Sequence, residues 1–247
     1  MNDEYNSYKN KAYRFISFEG IINTLNSRKL RFSRVNQFND PLDNSPYLMD
    51  LDWKQYILMG YKKVKSITEK VHENILGRTY ICCFSKTYTS DQSYLMWSHY
   101  GRDHTQLCFE IDFSEVEYLG SPSEVIYPDS LKDTRSSLIE SSGDIGRFIV
   151  FHKSKVWEYE QEVRLIYDMV YAGYDKNVNI SDDKKNIDIP FNHKMISKIV
   201  FGYRANEKEE LDVISLFKNL KHKPKFEKMI FNPITLKLEP IKYEEYR

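Results

Sequence analysis

The segment RTYICCFS, residues 78 to 85, is a continuous apolar run with the length of a β-strand. A run without polar alternation is typical of a strand that is buried on both faces, so we predict that it lies at the centre of a sheet. Cys82 and Cys83 within it are interpreted as core residues of that strand.

Hydrophobic periodicity predicts further strands and helices on both sides of this central strand. The predicted strands are 12 to 17, 30 to 35, 105 to 113, 162 to 168, 198 to 204, and two C-terminal strands, KFEKMIF and ITLKLEPI. The predicted helices start at residue 18, cover 51 to 76, include YLMWSHY with Asp91 as its cap, cover 129 to 153, and follow a cap at Asn206. GYDKNVNISDDKKN, 173 to 186, is predicted to be a hairpin connection or a mobile loop.

This mixture of elements lacks strict β-α alternation, so we expect an α+β fold. The expected architecture is a single domain over residues 1–247, with a largely antiparallel or mixed sheet and flanking helices. The helix and two strands in 206–241 are expected to complete it.

Composition and charge exclude several classes of protein. The 247 residues carry 36 basic and 36 acidic side chains, which argues against a general electrostatic grip on nucleic acid or anionic lipid. No secretory signal and no run of membrane-spanning length is visible, so we expect no membrane partner. The three cysteines lack metal-ligand spacing, and a reduced, cytoplasmic protein is the simplest interpretation. Without a G-x-G-x-x-G or Walker motif, a Rossmann or phosphate-loop nucleotide site is not expected.

WEYEQEVRLIY, residues 157 to 167, carries the strongest candidate site residues. Glu160, Glu162 and Arg164 stand two apart in an apolar frame. On a strand all three would point to one face, either solvated or forming the wall of an active site. Two carboxylates so close repel each other, and Arg164 would partly relieve that repulsion.

Three other segments place polar side chains inside predicted structure. Tyr13 and Arg14 lie on the first strand, where the arginine is either an edge salt bridge or a clamp for a phosphate or ribose. FSRVNQFNDPLD, 32 to 43, is either a side-chain-capped turn or a source of site carboxylates from Asp40 and Asp43. LMWSHYGRDH, 95 to 104, is either packed core or an aromatic pocket.

In this order, the segments resemble a bacterial family catalogued as domain of unknown function 2971. The resemblance covers residues 12 to 205, and its most specific blocks are F-N-D-P-x-D, L-M-W-S-H-Y and W-x-x-E-x-E-x-R. The family name by itself implies no activity.

More distantly, the order of blocks resembles the ADP-ribosyltransferase superfamily, particularly its DNA-targeting toxins. The matching positions are Arg14 on the first strand, Ser85 at the end of CFS, which stands where the superfamily has S-T-S, and Glu162. Glu160 fits the superfamily's E-x-E form. The resemblance implies a split sheet and cleavage of the nicotinamide–ribose bond of NAD through an oxocarbenium-like state.

That resemblance also implies residue roles and partners. Glu162, Glu160 and Arg14 would be catalytic, with Glu162 at the ribose and Glu160 at the acceptor. NAD would be the co-substrate, and nucleic acid or protein would accept the ADP-ribose in a toxin or anti-phage setting, with an antitoxin as partner. The implied cofactor contacts are Tyr13, Arg14, Ser33, Asn39, Ser85, Trp97, His99 and Tyr100.

Two alternatives remain open at the level of sequence. One is a non-catalytic module in which the W-x-x-E-x-E-x-R strand and the F-N-D-P loop contact protein or nucleic acid. The other is a nuclease that holds Mg²⁺ with Asp40, Asp43, Glu160 and Glu162.

Overall fold

Strand β3 (Thr79–Ser85) lies inside the sheet in the computed structural model, which describes residues 11–38, 40–45, 48, 58–113, 122–140, 144–169 and 178–246. One edge of β3 pairs with β6 (Glu162–Asp168) over its full length, from Thr79 opposite Asp168 to Ser85 opposite Glu162. The other edge is shared by two strands. β1 (Lys11–Ile16) meets it at Ser85, and β2 (Lys29–Arg34) meets it at Tyr80 and Ile81. The prediction of a central strand is confirmed.

The sheet extends outward from β1 and from β2. Beyond β1 follow β4 (Leu107–Asp112), β9 (Ile196–Phe201), β10 (Lys225–Asn232) and β11 (Lys237–Lys242); beyond β2 follow β8 (Asn186–Pro190) and β7 (Asn179–Ile180). A short β5 (Ser123–Glu124) pairs with β6. Among the described strands β9 and β10 run parallel and the other pairs are antiparallel. The predicted α+β class with a mixed, largely antiparallel sheet is therefore confirmed.

The helices flank this sheet. They are α1 (Phe18–Ser27), α2 (Tyr61–Leu76), α3 (Ser93–His99), α4 (Leu131–Glu140), α5 (Ile145–Phe151), α6 (Glu207–Leu216) and α7 (Tyr243–Tyr246), with 3₁₀ turns at Val35–Gln37, Lys155–Glu160 and His193–Met195. Asn206 caps α6 as predicted, accepting from the Lys208 N–H. The predicted Asp91 cap of α3 is wrong, because the cap residue is Gln92 and its side chain makes no capping bond. None of the helices in the described ranges combines the length and the apolar composition of a membrane-spanning segment.

Side-chain alternation sends the two faces of β3 and β6 into different surroundings. Val163 and Leu165 pack with Phe84 in the larger apolar core, as expected for residues that anchor this strand. On the opposite face, Ile81 packs with Phe148 of α5 in a second cluster. Glu162 and Arg164 share this second face, so α5 and its neighbours cover the charged side of β6.

Two elements differ from the sequence prediction. The helix predicted over 129 to 153 is two helices, α4 and α5, and residues 141–143 between them lie outside the described part. The described part of the segment 173 to 186 forms a hairpin, one of the two predicted alternatives, with β7 antiparallel to β8. The strand β7 within it is not predicted, nor is β8, which begins at Asn186 and pairs with β2 along its length. The sequence prediction missed β8 because Asn186–Pro190 is short and follows a strongly polar stretch.

Candidate active site

β1 and β2 meet β3 at different ends, and a cavity of about 460 Å³ lies where they diverge. Most of the candidate residues from the sequence line this cavity. They are Tyr13, Arg14, Ser33, Ser85, Tyr100, Glu160 and Glu162. Asn39 lies outside the described residues.

The two glutamates reach the cavity from different elements. Glu162 is the first residue of β6, whereas Glu160 ends the 3₁₀ turn Lys155–Glu160. Gln161 between them has a left-handed backbone, with φ of 44°, which turns the chain from one element into the other. The interpretation of Glu160 as part of the same strand face is thus wrong, although both carboxyl groups are buried beside the cavity.

Arg164 neutralises Glu162 through a bidentate ion pair. Its Nε donates to Glu162 Oε1 at 2.8 Å and its Nη2 to Oε2 at 2.9 Å. The same guanidinium donates to Asp43 Oδ2 at 2.6 Å and to the Val150 carbonyl at 2.5 Å. The predicted relief of carboxylate repulsion by Arg164 is present, and Asp43 from the F-N-D-P-x-D loop joins it.

A second buried cation, Lys153, joins the three carboxylates into one network. Its Nζ lies 2.6 Å from Glu160 Oε2, 3.4 Å from Asp43 Oδ2 and 3.5 Å from Glu162 Oε2. Sequence reasoning missed this residue. No local pattern signals it, because the burial of three carboxylates that calls for a second cation is a feature of the folded chain.

The environments of the two glutamates push their pKa values apart. Burial opposes ionisation of Glu162, but the adjacent Arg164 guanidinium outweighs it and lowers the pKa of that carboxyl to about 2. Burial, followed by the charge of Glu162, raises the pKa of Glu160 despite the nearby Lys153 ammonium. The site therefore offers one firmly ionised carboxylate and one that is a stronger proton acceptor than an ordinary glutamate.

Arg14 belongs to β1, which meets β3 at the edge opposite to the one that β6 occupies. Its guanidinium donates to the Cys82 thiol and to the Arg31 carbonyl on β2, so it spans the divergence of β1 and β2. Burial raises the pKa of Cys82 to about 11, so this thiol is an uncharged acceptor. These two contacts use two of the five N–H donors of the guanidinium.

Three predicted hydroxyl groups lie in the cavity wall with protein partners. Ser85 Oγ donates to the Thr87 carbonyl at 2.9 Å, and Ser33 Oγ donates to Asn186 Oδ1 at 3.2 Å. The Tyr13 hydroxyl donates to Glu110 Oε2 at 2.6 Å, outside the Glu160–Glu162 network. These residues shape the wall where β1, β2 and β3 meet.

The three aromatic candidates from L-M-W-S-H-Y have different positions. Trp97 is 0 % exposed, its Nε1 donates to the Tyr88 carbonyl, and it does not line the cavity, which agrees with the packed-core alternative and not with a cofactor contact. His99 is exposed, does not line the cavity, and contacts the Tyr159 hydroxyl through Nδ1 at 2.9 Å. Tyr100 lines the cavity and donates to Glu160 Oε1 at 2.5 Å.

Three of the four carboxylates proposed for a metal site contact a buried cation. Asp43, Glu160 and Glu162 all contact Lys153, and Asp40 Oδ1 accepts from the Leu42 N–H in a turn. Within the described ranges no group of three His, Cys, Asp or Glu side chains is arranged to hold a metal ion. The arrangement gives the Mg²⁺ alternative no support.

Fold and cavity define an α+β protein whose sheet opens over a buried network of carboxylates and cations. No family model, curated protein or solved structure matches the chain. The two resemblances drawn from the sequence blocks therefore stay predictions, and the residues of the cavity carry the functional argument.

Proposed function

We propose that this chain is an NAD-consuming enzyme, an ADP-ribosyltransferase or NAD glycohydrolase that resembles the DNA-targeting toxins. The observation that carries the proposal is a single cavity lined by Arg14 of β1, Ser85 at the end of β3 and Glu162 at the start of β6. These residues are far apart in sequence and come from three strands, at the point where the sheet divides.

The charge of the cavity suits the departure of nicotinamide. Three buried carboxylates face two buried cations, Lys153 and Arg164, which leaves one negative charge when all five groups are ionised. A fixed negative charge stabilises the positive charge that develops on the ribose when its bond to nicotinamide breaks. Glu162, with its pKa lowered to about 2, stays ionised throughout the physiological range.

The size and the cationic wall of the cavity also suit a dinucleotide. Its volume of about 460 Å³ lies within the range of roughly 300–1,000 Å³ that small-molecule sites occupy. The Arg14 guanidinium would bind a phosphate or ribose with the N–H groups that Cys82 and Arg31 do not use.

The test is release of nicotinamide from NAD by the purified chain, with and without added protein, DNA and RNA. Glu162→Gln is expected to lower turnover roughly 10²–10³-fold, as the loss of a charge-stabilising group does in other enzymes. Glu239→Gln, on the exposed β10–β11 hairpin, is the matched control and keeps full activity. Absence of turnover with every acceptor, or full activity in Glu162→Gln, would overturn the proposal.

The proposed setting is a bacterial cytoplasmic toxin or anti-phage effector that modifies nucleic acid or protein and is held in check by an antitoxin. Induced expression in bacteria is expected to stop growth for the wild type and not for Glu162→Gln. Equal growth arrest by both proteins would favour the alternative of a non-catalytic binding module.

A further inference from the structure

The Tyr100 hydroxyl and Glu160 form a hydrogen-bonded pair at the edge of the cavity. Tyr100 follows α3, where its N–H donates to the Met96 carbonyl at 2.8 Å, and its side chain is 36 % exposed and lines the cavity. Its hydroxyl donates to Glu160 Oε1 at 2.5 Å, while Lys153 holds the other oxygen at 2.6 Å. A hydroxyl, a carboxylate and a group that orients the carboxylate are the components of an activated nucleophile.

This position distinguishes Tyr100 from the other phenols near the network. The Tyr13 hydroxyl donates a hydrogen bond to Glu110, and the Tyr127 hydroxyl accepts one from the Glu162 backbone N–H. Tyr159 is buried and contacts His99. Of these four tyrosines, Tyr100 is the one whose hydroxyl meets a side-chain carboxylate of the cavity.

Glu160 is suited to receive the proton of Tyr100. Burial and the negative charge of Glu162 raise its pKa, so it holds a proton more strongly than an exposed glutamate. It is also separated from Glu162 by a single shared partner, since Lys153 contacts both carboxylates. The hydroxyl and the charge-stabilising carboxylate thus belong to one connected group of side chains.

We propose that the Tyr100 hydroxyl is an acceptor of ADP-ribose, so that the chain modifies itself at this phenol. The proposal rests on the proposed function. The bond between C1′ of the ribose and the nicotinamide nitrogen breaks, and its electron pair leaves with neutral nicotinamide. The phenol oxygen bonds to C1′, and its proton passes to Glu160 and then to solvent. One NAD is consumed for each tyrosine modified, and no oxidant or reductant is needed.

The experiment follows nicotinamide release and the intact mass of the purified wild-type chain during incubation with NAD, then maps the modified peptide. The expected result is a mass gain of one ADP-ribose on the peptide that contains Tyr100. Tyr100→Phe is expected to lose this gain, whereas Tyr203→Phe, which removes an exposed phenol outside the cavity, retains it.

The results that would overturn self-modification differ from the result that would overturn the proposed function. Release of nicotinamide without a mass gain, or with a gain mapped to Tyr203 or another residue, overturns self-modification and leaves the proposed function intact. A gain that survives in Tyr100→Phe overturns it as well. No nicotinamide release in any form overturns the proposed function, and the self-modification that rests on it falls too.

Discussion

Protonation of Glu162 at acidic pH should lower the free energy of unfolding by a measurable amount. Its pKa is lowered to about 2 from an ordinary value of 4.5. A lowered folded-state pKa contributes stability that is present above the ordinary value and is lost as the pH falls toward the folded value. Between about pH 5 and about pH 2, the wild type should therefore lose roughly 3 kcal/mol more unfolding free energy than Glu162→Gln. Urea unfolding across this range tests it, and parallel losses in the two proteins would contradict it.

Arg164 is the residue whose removal should cost most in this network. It is fully buried and contacts both Glu162 and Asp43, so Arg164→Met leaves two carboxylates with Lys153 as their remaining buried cation. Breaking a buried ion pair from one side costs about 3–5 kcal/mol. Arg31→Met is the control, because Arg31 pairs with Asp188 at the surface and such pairs contribute about 1 kcal/mol or less. Equal costs in the two variants, by urea unfolding, would count against the network.

The local sequence pattern predicted part of this network, and there is a physical reason why it did not predict the rest. The spacing of Glu162 and Arg164 on a strand is enough to predict a shared face, and their ion pair follows from it. Lys153 was not predicted, because its role depends on α5 covering that face of β6. Trp97 was expected to contact the cofactor and is instead buried in the core. The sequence pattern of an aromatic residue on a short helix is compatible with either position, and tertiary packing decides between them.

The turn that ends α3 sets the position of Tyr100. A Cβ added at Gly101 would lie 2.6 Å from the Trp97 carbonyl oxygen and 2.8 Å from Trp97 Cε3, which are helix backbone and a buried ring. Gly101→Ala is expected to destabilise the protein by about 1–3 kcal/mol, as overpacking does, and to lower NAD turnover by displacing Tyr100. Ser98→Ala in the same helix is the control, with an expected change below about 1 kcal/mol. Urea unfolding and nicotinamide release measure both, and a Gly101→Ala protein that matched wild type would show that the turn tolerates a side chain.

The existence of the strands was easier to predict than their pairing. A continuous apolar run such as β3 predicts a buried strand directly. The strand β6 has the predicted bounds of 162 to 168. That β3 shares one edge between β1 and β2 is a property of the whole sheet and appears in no local pattern. The cavity arises from this division, so the sequence could indicate residues of the site but not the opening that holds them.

Distant parts of the chain meet at the site. The Arg164–Asp43 bond joins residues 121 positions apart, and Arg14 of β1 reaches across to β2. The cavity therefore forms only when these distant segments have assembled. A ligand that needs the cavity binds the native state and not the unfolded chain, so it stabilises the whole protein by mass action.

Binding of NAD should thus raise the midpoint of thermal unfolding in a protein that cannot consume it. At about 100 times Kd the gain is about 2.7 kcal/mol, which corresponds to roughly 5–10 °C for a chain of this size. We expect this shift in Glu162→Gln, where NAD persists during the scan. The double variant Glu162→Gln with Arg14→Met should lose most of the shift, because Arg14 supplies the cation of the cavity wall for phosphate or ribose. Glu162→Gln with Arg31→Met should retain it, since Arg31 forms its ion pair at the surface. A shift of equal size in both double variants would mean that NAD binds elsewhere, because Arg14 then makes no difference to the bound state.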